Sequence, residues 1–227
     1  MTRRCVVLLS GGLDSATCLL VAKAEGFDVY ALSFEYGQRH AVELARAREI
    51  AERYGARDHR VVKVQLPDPK ASALTSPSAP VPKDGRPGEG PVPPTYVPAR
   101  NTLFLAFAAS WGEAIGAGDL FIGANVLDYS GYPDCRPDFL AAMEKALNLG
   151  TRSAAEGGLA FRIRAPLLSL TKADIVRLGA ALGLDFSLTS SCYDPDQEGR
   201  ACGGCDSCRL REKGFREAGI HDRLLPR

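Results

Sequence analysis

Three groups of residues in this chain have the types and spacing to do chemistry. The first is the run Ser10-Gly11-Gly12-Leu13-Asp14-Ser15. Two consecutive glycines let backbone N–H groups turn into a concave nest with no Cβ in the way. Ser10 and Ser15 add hydroxyl donors, so an anion such as a pyrophosphate would meet several donors at one point. The second group is Cys192, Cys202, Cys205 and Cys208, four thiols within seventeen residues. Four thiolates can close a tetrahedral Zn²⁺ site, and Gly203 and Gly204 relieve the tight turn between two of them. Double CxxC spacing also suits an iron–sulfur centre. Zinc is favoured because Cys192 completes a closed set of four with no fifth cysteine nearby, which leaves no coordination position for water and makes the metal structural. The third group is the loop DYSGYPDCR at 128–136. Here the rings of Tyr129 and Tyr132 could stack on a flat base, Asp134 could accept from its N–H edge, and Arg136 stands beside them. Cys135 is read as packing or pocket lining rather than a nucleophile, because no partner base is adjacent.

Positioning these groups requires strands and helices in alternation. CVVLL at 5–9 is a continuous apolar run suited to a strand buried on both faces, and SATCLLVAKAEG has helical spacing. The order repeats with VYALSF (29–34), AVELARAREIAERYG (41–55) and HRVVKVQL (59–66). It resumes with a helix near 99–117, a strand at 119–124, a helix opened by Pro137, a strand at 161–167, and a helix introduced by Thr171 and Asp174 in capping-box spacing. Such alternation calls for a parallel sheet covered on both faces, a doubly wound, Rossmann-like α/β fold. The Ser10–Ser15 run falls between the first strand and first helix, where such a sheet places its ligand, and the helix end adds partial positive charge. It is neither GxxxxGK[ST] nor GxGxxG. An ordinary capped turn is the plain alternative, but location, serines and acid together favour a nucleotide site. The expected organisation is an α/β domain over 1–188 and a small cysteine lobe over 189–227. Residues 67–98 hold ten of the fifteen prolines and form neither packed helix nor central strand. They are read as an excursion over the carboxyl edge of the sheet, either a lid or a disordered insertion.

Composition narrows the partners. Of 227 residues, 28 are Lys or Arg and 27 Asp or Glu, a net charge of +1. No overall field therefore advertises nucleic acid or an anionic membrane. Apolar runs fall short of the ~20 residues that span a bilayer, and the amino terminus lacks a secretory pattern. A cytoplasmic location and reduced thiols are expected. Arg209, Arg211 and Lys213 interleave with Glu212 and read as a solvated face rather than a nucleic-acid patch. His40 is equally a phosphate or proton group and a surface cap, and His59 and His221 carry no pattern. Phe34, Tyr36 and Trp111 are assigned to core or interface. Arg100 and Lys172 are candidates for neutralising phosphate charge in a transition state, although lysine at a helix start is commonly exposed.

The SGGLDS string resembles the signature loop of the ATP pyrophosphatase (PP-loop) superfamily. With SGGLDSATCL, FEYGQRH, TYVPARNTLFLAFA (95–108), DYSGYPDCRPDF (128–139), PLLSLTKADIV (166–176) and SCYDPDQEGRACGGCDSCRLREKGF (191–215), the chain resembles the 7-cyano-7-deazaguanine synthase (QueC) family almost throughout. That resemblance implies a PP-loop/HUP-type fold with a zinc lobe, and a C–N-forming ligase that uses ATP with Mg²⁺. It implies that 7-carboxy-7-deazaguanine and ammonia become a nitrile through adenylated acid and amide intermediates. ATP would contact Leu8, Leu9, Ser10, Gly11, Gly12, Leu13, Asp14 and Ser15, with Asp14 near the triphosphate and its Mg²⁺. Asp14, Ser15, Arg100 and Lys172 would be catalytic. The resemblance further implies a homodimer with no stable nucleic-acid partner. A tRNA sulfurtransferase and a zinc module for nucleic acid are the competing readings; near-neutral charge weighs against the first, and the small basic patch interleaved with Glu212 weighs against the second.

Overall fold

A computed structural model describes residues 3–39, 42–83, 92–127 and 131–224. Five strands form one parallel sheet: β1 (Arg4–Leu8), β2 (Asp28–Glu35), β3 (Asp58–Lys63), β4 (Asp119–Phe121) and β5 (Arg162–Arg164), ordered β3-β2-β1-β4-β5. The chain leaves β1 to build one half of the sheet and returns beside β1 to build the other. The β1–β4 seam is therefore the point where the strand order reverses and a crevice opens at the carboxyl ends. Strand β1 is central, and Cys5, Val6 and Val7 are fully buried, as a strand covered on both faces requires. The third, fourth and fifth strands are shorter than their apolar runs suggest.

Helices α1 (Leu13–Ala24), α2 (Val42–Arg53), α6 (Lys172–Ala181) and α7 (Asp206–Ala218) flank the sheet with α3 (Arg100–Ile115), α4 (Pro137–Gly150) and the short α5 (Arg152–Ala155). Two apolar cores result. One holds α1, α2 and α6 together and includes Phe215 of α7. The other lies under α3 and α4 around Leu105, Leu120 and Phe161. Helix α7 thus shares the main core rather than standing apart. Pro137 opens α4, and Thr171 and Asp174 form a reciprocal capping box at α6, as their spacing predicts. Among the described residues no helix is long and apolar enough to cross a membrane.

The described parts of the proline-rich stretch are ordered by packing. Ser72, Ala73, Leu74, Thr75, Ser76, Val81, Thr95 and Val97 are buried, and Lys83 makes a bridge with Cys205. A short 3₁₀ turn at Pro69–Ala71 is the one helical element among its described residues. The excursion therefore runs from the carboxyl edge of the sheet to the cysteine cluster, and these parts are not a disordered insertion.

Candidate active site

The crevice at the β1–β4 seam is a cavity of about 240 Å³. Its polar end is the turn after β1. Gly11 adopts φ +91°, and a Cβ there would lie 2.2 Å from the Glu43 carbonyl oxygen and 2.9 Å from the Ala47 nitrogen. Glycine is needed both for the left-handed backbone and for the close approach of α2. Leu8, Leu9, Ser10, Gly12, Leu13, Asp14 and Ser15 line the cavity, while Gly11 faces α2.

The serines do a different job from the one their hydroxyls suggest. The Ser10 N–H donates to Ser15 Oγ (3.1 Å), the two hydroxyls are 3.0 Å apart, Ser15 Oγ donates to the Gly12 carbonyl (3.0 Å), and the Gly12 N–H donates to Ser10 Oγ (3.2 Å). Their hydrogens are spent bracing the turn, so a ligand anion is left with the amides of the first turn of α1, which have no acceptor within the helix.

Lys172 reaches this turn from 158 positions away. Its Nζ donates to both carboxylate oxygens of Asp14 at 2.8 Å. It is 7% exposed, unlike the solvated lysine common at helix starts. Gly214 makes this possible, because a Cβ there would fall 2.4 Å from Lys172 Cγ. The aliphatic stem of Lys172 runs across the face of α7, and the one signal in the sequence was a glycine inside an otherwise helical run.

The opposite end is aromatic. Phe34, Tyr36, Phe104, Tyr132 and Leu74 line it with Ile122 and Cys135. Phe34 and Phe104 stack at 3.8 Å between ring centres. Gln38 sets the turn after β2: it accepts from the Tyr36 N–H (2.8 Å) and donates to the Phe34 carbonyl (2.8 Å). Phe34 and Tyr36 are thus cavity walls as well as core. Arg100 Nη1 donates to Tyr36 Oη at 3.4 Å, which brings its charge into the cavity wall. Burial pushes the Tyr36 hydroxyl above its ordinary pKa, against the pull of the Arg100 charge. Tyr132 Oη is 2.7 Å from Thr95 Oγ1.

Of the other described residues of this loop, Cys135 reaches the cavity while Asp134 and Arg136 do not line it. Asp134 is buried and accepts the Asn101 N–H at 3.1 Å, while Asn101 Nδ2 donates to the Asp134 carbonyl at 2.9 Å. Helix α3 starts at a left-handed Ala99 without a side-chain cap. The Asp134 carboxylate fills that role from a distance, next to Arg100. It is therefore not turned to a base edge as expected. Arg136 is exposed, precedes α4 and lies outside the lining. Tyr129, Asp128 and His40 lie outside the described residues. Cys135 does line the cavity. Burial, helped by the neighbouring Asp134 charge, pushes its thiol up to about 11, so it is a neutral thiol at physiological pH and a poor nucleophile. Asn101 Nδ2 also approaches its sulfur at 3.4 Å.

The four cysteine sulfurs of the carboxyl-terminal cluster lie within 4.8 Å of one another. A tetrahedral Zn–S site, with bonds of about 2.3 Å, spaces its sulfurs about 3.8 Å apart, so a small contraction accommodates the ion. The Cys202 and Asp194 N–H groups donate to Cys192 Sγ at 3.2 and 3.4 Å, the kind of support a thiolate ligand receives. None of the seven cysteines is in a disulfide.

Comparison with known proteins follows this geometry. A family model described as queuosine biosynthesis protein QueC matches residues 4–219. The 7-cyano-7-deazaguanine synthase of Geotalea daltonii is 58% identical over 222 residues, covering 98% of this chain and 96% of that protein. Its counterpart in Geobacter sulfurreducens is 59% identical over 222 residues, covering 98% and 92%. Among solved structures, an NMN synthetase from Francisella tularensis aligns with a TM-score of 0.50 at 18% identity, covering 97% of this chain and 79% of the other. A 4-thiouridine synthetase in complex with RNA and bound ATP aligns with a TM-score of 0.52 at 17% identity, covering 96% and 50%. At those identities the two structures share the fold alone.

Proposed function

The chain belongs to the QueC family of queuosine biosynthesis proteins, and from that premise we propose that it is an ATP-dependent ligase acting as a 7-cyano-7-deazaguanine synthase. Its substrates are 7-carboxy-7-deazaguanine, ammonia and ATP. The observation that carries this reading is the single cavity joining the glycine turn and the Asp14–Lys172 pair to an aromatic wall. One end suits a triphosphate, and the rest suits flat heterocycles.

A carboxylate is a poor electrophile because its oxygen would leave as a high-energy anion. Attack of that oxygen on the α-phosphorus of ATP gives an acyl adenylate and releases pyrophosphate, and ammonia then displaces AMP to form the amide. A second activation, at the amide oxygen, allows loss of that oxygen with AMP and leaves the nitrile. The first-turn amides of α1 hold phosphate oxygens. Lys172, now paired with Asp14, turns to the incoming phosphates and offsets charge that grows in the transition state. Arg100 contributes positive charge from the aromatic side. Asp14, released from Lys172, is the carboxylate available to hold Mg²⁺, which would screen and orient the phosphates. Ser15 acts through the turn it braces rather than as a proton donor.

Cys192, Cys202, Cys205 and Cys208 would hold a structural Zn²⁺, with no open position for substrate. Seven cysteines without a disulfide suit a reducing cytoplasm. A homodimer fits the exposure of Phe107 (41%) on α3, while Trp111 on the same helix is buried.

The test is to incubate the protein with ATP, Mg²⁺, ammonium and 7-carboxy-7-deazaguanine labelled with ¹⁸O in its carboxylate. The expected products are the nitrile, pyrophosphate and AMP carrying the label. Nitrile formation without label in AMP would overturn the adenylate route, and ATP consumption only with tRNA and a sulfur donor would overturn the substrate assignment.

A further inference from the structure

Arg211 lines the cavity and is only 5% exposed, which contradicts its reading as part of a solvated basic face. A buried arginine beside a phosphate site invites assignment as an anion ligand. Its hydrogen-bond inventory argues otherwise. A guanidinium has five N–H donors, and five bonds account for them. Nε and Nη2 donate to the two carboxylate oxygens of Asp222 (2.5 and 3.1 Å), and Nη2 also donates to the Phe186 carbonyl (3.2 Å). Nη1 donates to Thr189 Oγ1 (2.8 Å) and Ser191 Oγ (3.4 Å).

The last two acceptors flank Ser190. The Ser190 N–H donates to the Gly11 carbonyl at 2.9 Å, and the Ser190 carbonyl oxygen lies 3.3 Å from where a Gly12 Cβ would stand. A trans peptide carries its C=O and N–H on opposite sides. The Gly11–Gly12 plane is therefore held at both ends, by Ser190 on one side and Ser10 Oγ on the other.

We propose that Arg211 is a positioning residue that clamps the strap Thr189–Ser191 and thereby fixes the Gly11–Gly12 peptide for the triphosphate, without touching ATP itself. The inference rests on the nucleotide reading of the turn given above.

The test compares Arg211→Lys, Thr189→Val and Thr189→Ser with the parent protein in the full chain. Lysine keeps the charge beside Asp222 but loses the fork. Valine removes the Thr189 acceptor while leaving the Arg211–Asp222 pair, and serine keeps the hydroxyl. Expected is a rise of about 10- to 100-fold in the Kd for ATP, measured by calorimetry, for Arg211→Lys and Thr189→Val, up to the scale that a misplacement of about 1 Å costs in rate. The KM for the deazapurine acid is unchanged, amide exchange of a peptide spanning residues 9–14 is faster, and Thr189→Ser restores both readouts. Should Arg211→Lys fail to fold, the valine and serine pair decides. The proposal is overturned if Thr189→Val binds ATP and protects residues 9–14 like the parent. It is equally overturned if ATP and acid constants worsen together in step with lost stability. A parent protein that binds no ATP would overturn the nucleotide reading and this inference with it, whereas a parent that binds and variants that bind equally would overturn this inference alone.

Discussion

The glycine turn at 10–15 and the cysteine cluster at 192–208 use similar materials, small residues that let polar groups converge, but they reach order by different routes. In the turn, each hydroxyl and the Gly12 amide finds a partner within six residues. Outside the turn, Ser190 holds the Gly11 carbonyl and Lys172 holds the Asp14 carboxylate. The shape of the turn is set before any ligand arrives, which is what electrostatic preorganisation requires. In the cluster, four sulfurs face one another around a small core of Val81 and the cysteines themselves. That much apolar area contributes little order by itself, and the proposed metal would supply the rest. The two regions are nevertheless joined, because Cys192 follows directly on the strap that props the turn.

Removing the proposed metal is expected to have the largest effect. Structural zinc contributes on the order of 10 kcal/mol to folding in small metal-dependent modules, so chelation or Cys205→Ser should unravel the cluster. The checks are a lowered Tm, proteolytic cleavage near 192–205 and metal analysis of the parent protein. An unchanged Tm after complete chelation would break the comparison. Next comes Lys172→Met, which removes the cation at the phosphate end and should lower kcat by about 10²- to 10³-fold, the range seen for one lost electrostatic donor. Retained kcat with a higher KM for ATP would reassign Lys172 to ground-state binding.

Gly11→Ala sharpens the contrast from the other side. The left-handed backbone and the contact with α2 together put its cost at about 2–5 kcal/mol, readable as a shift in urea midpoint with ATP affinity lost in parallel. Cys135→Ser is expected to have the smallest effect, with turnover retained. Because burial holds the folded thiol near 11 against an ordinary 9.0, it stays protonated at neutral pH. By linkage it contributes stability that is complete below pH 9 and lost as pH rises from 9 toward 11. Rapid alkylation by iodoacetamide at pH 7 in the native state would contradict this.

Much of the fold and part of the site was legible in the residues themselves. The glycine turn, the Thr171–Asp174 capping box, the Pro137 helix start and the cysteine spacing all depend on neighbours within a few positions, so local pattern carried them. The misreadings have one cause. Arg211 looked like one of three surface charges because helical spacing could not reveal Asp222, Thr189 and Ser191 closing around it. Asp134 looked like a base acceptor because nothing nearby in sequence announced that α3 lacks a cap of its own. Phe34 and Tyr36 are core as expected, and their added role as cavity walls leaves no mark in the sequence because a cavity wall and a core wall use the same residues. Leu74 was hidden in a proline-rich stretch whose composition suggests looseness, yet whose side chains are buried.

The sequence by itself determined the alternation of strands and helices, the place of the glycine turn and the grouping of the four cysteines, since each follows from periodicity or from local spacing. Only the tertiary structure decided that Lys172 meets Asp14 across 158 positions, that Gly214 makes room for it, and that Arg211 braces the turn it seemed remote from. The physical reason is the parallel sheet. Every crossover returns the chain to the same carboxyl edge, so residues far apart in sequence converge there, and which of them touch depends on side-chain volume and hydrogen-bond saturation that no one-dimensional pattern records.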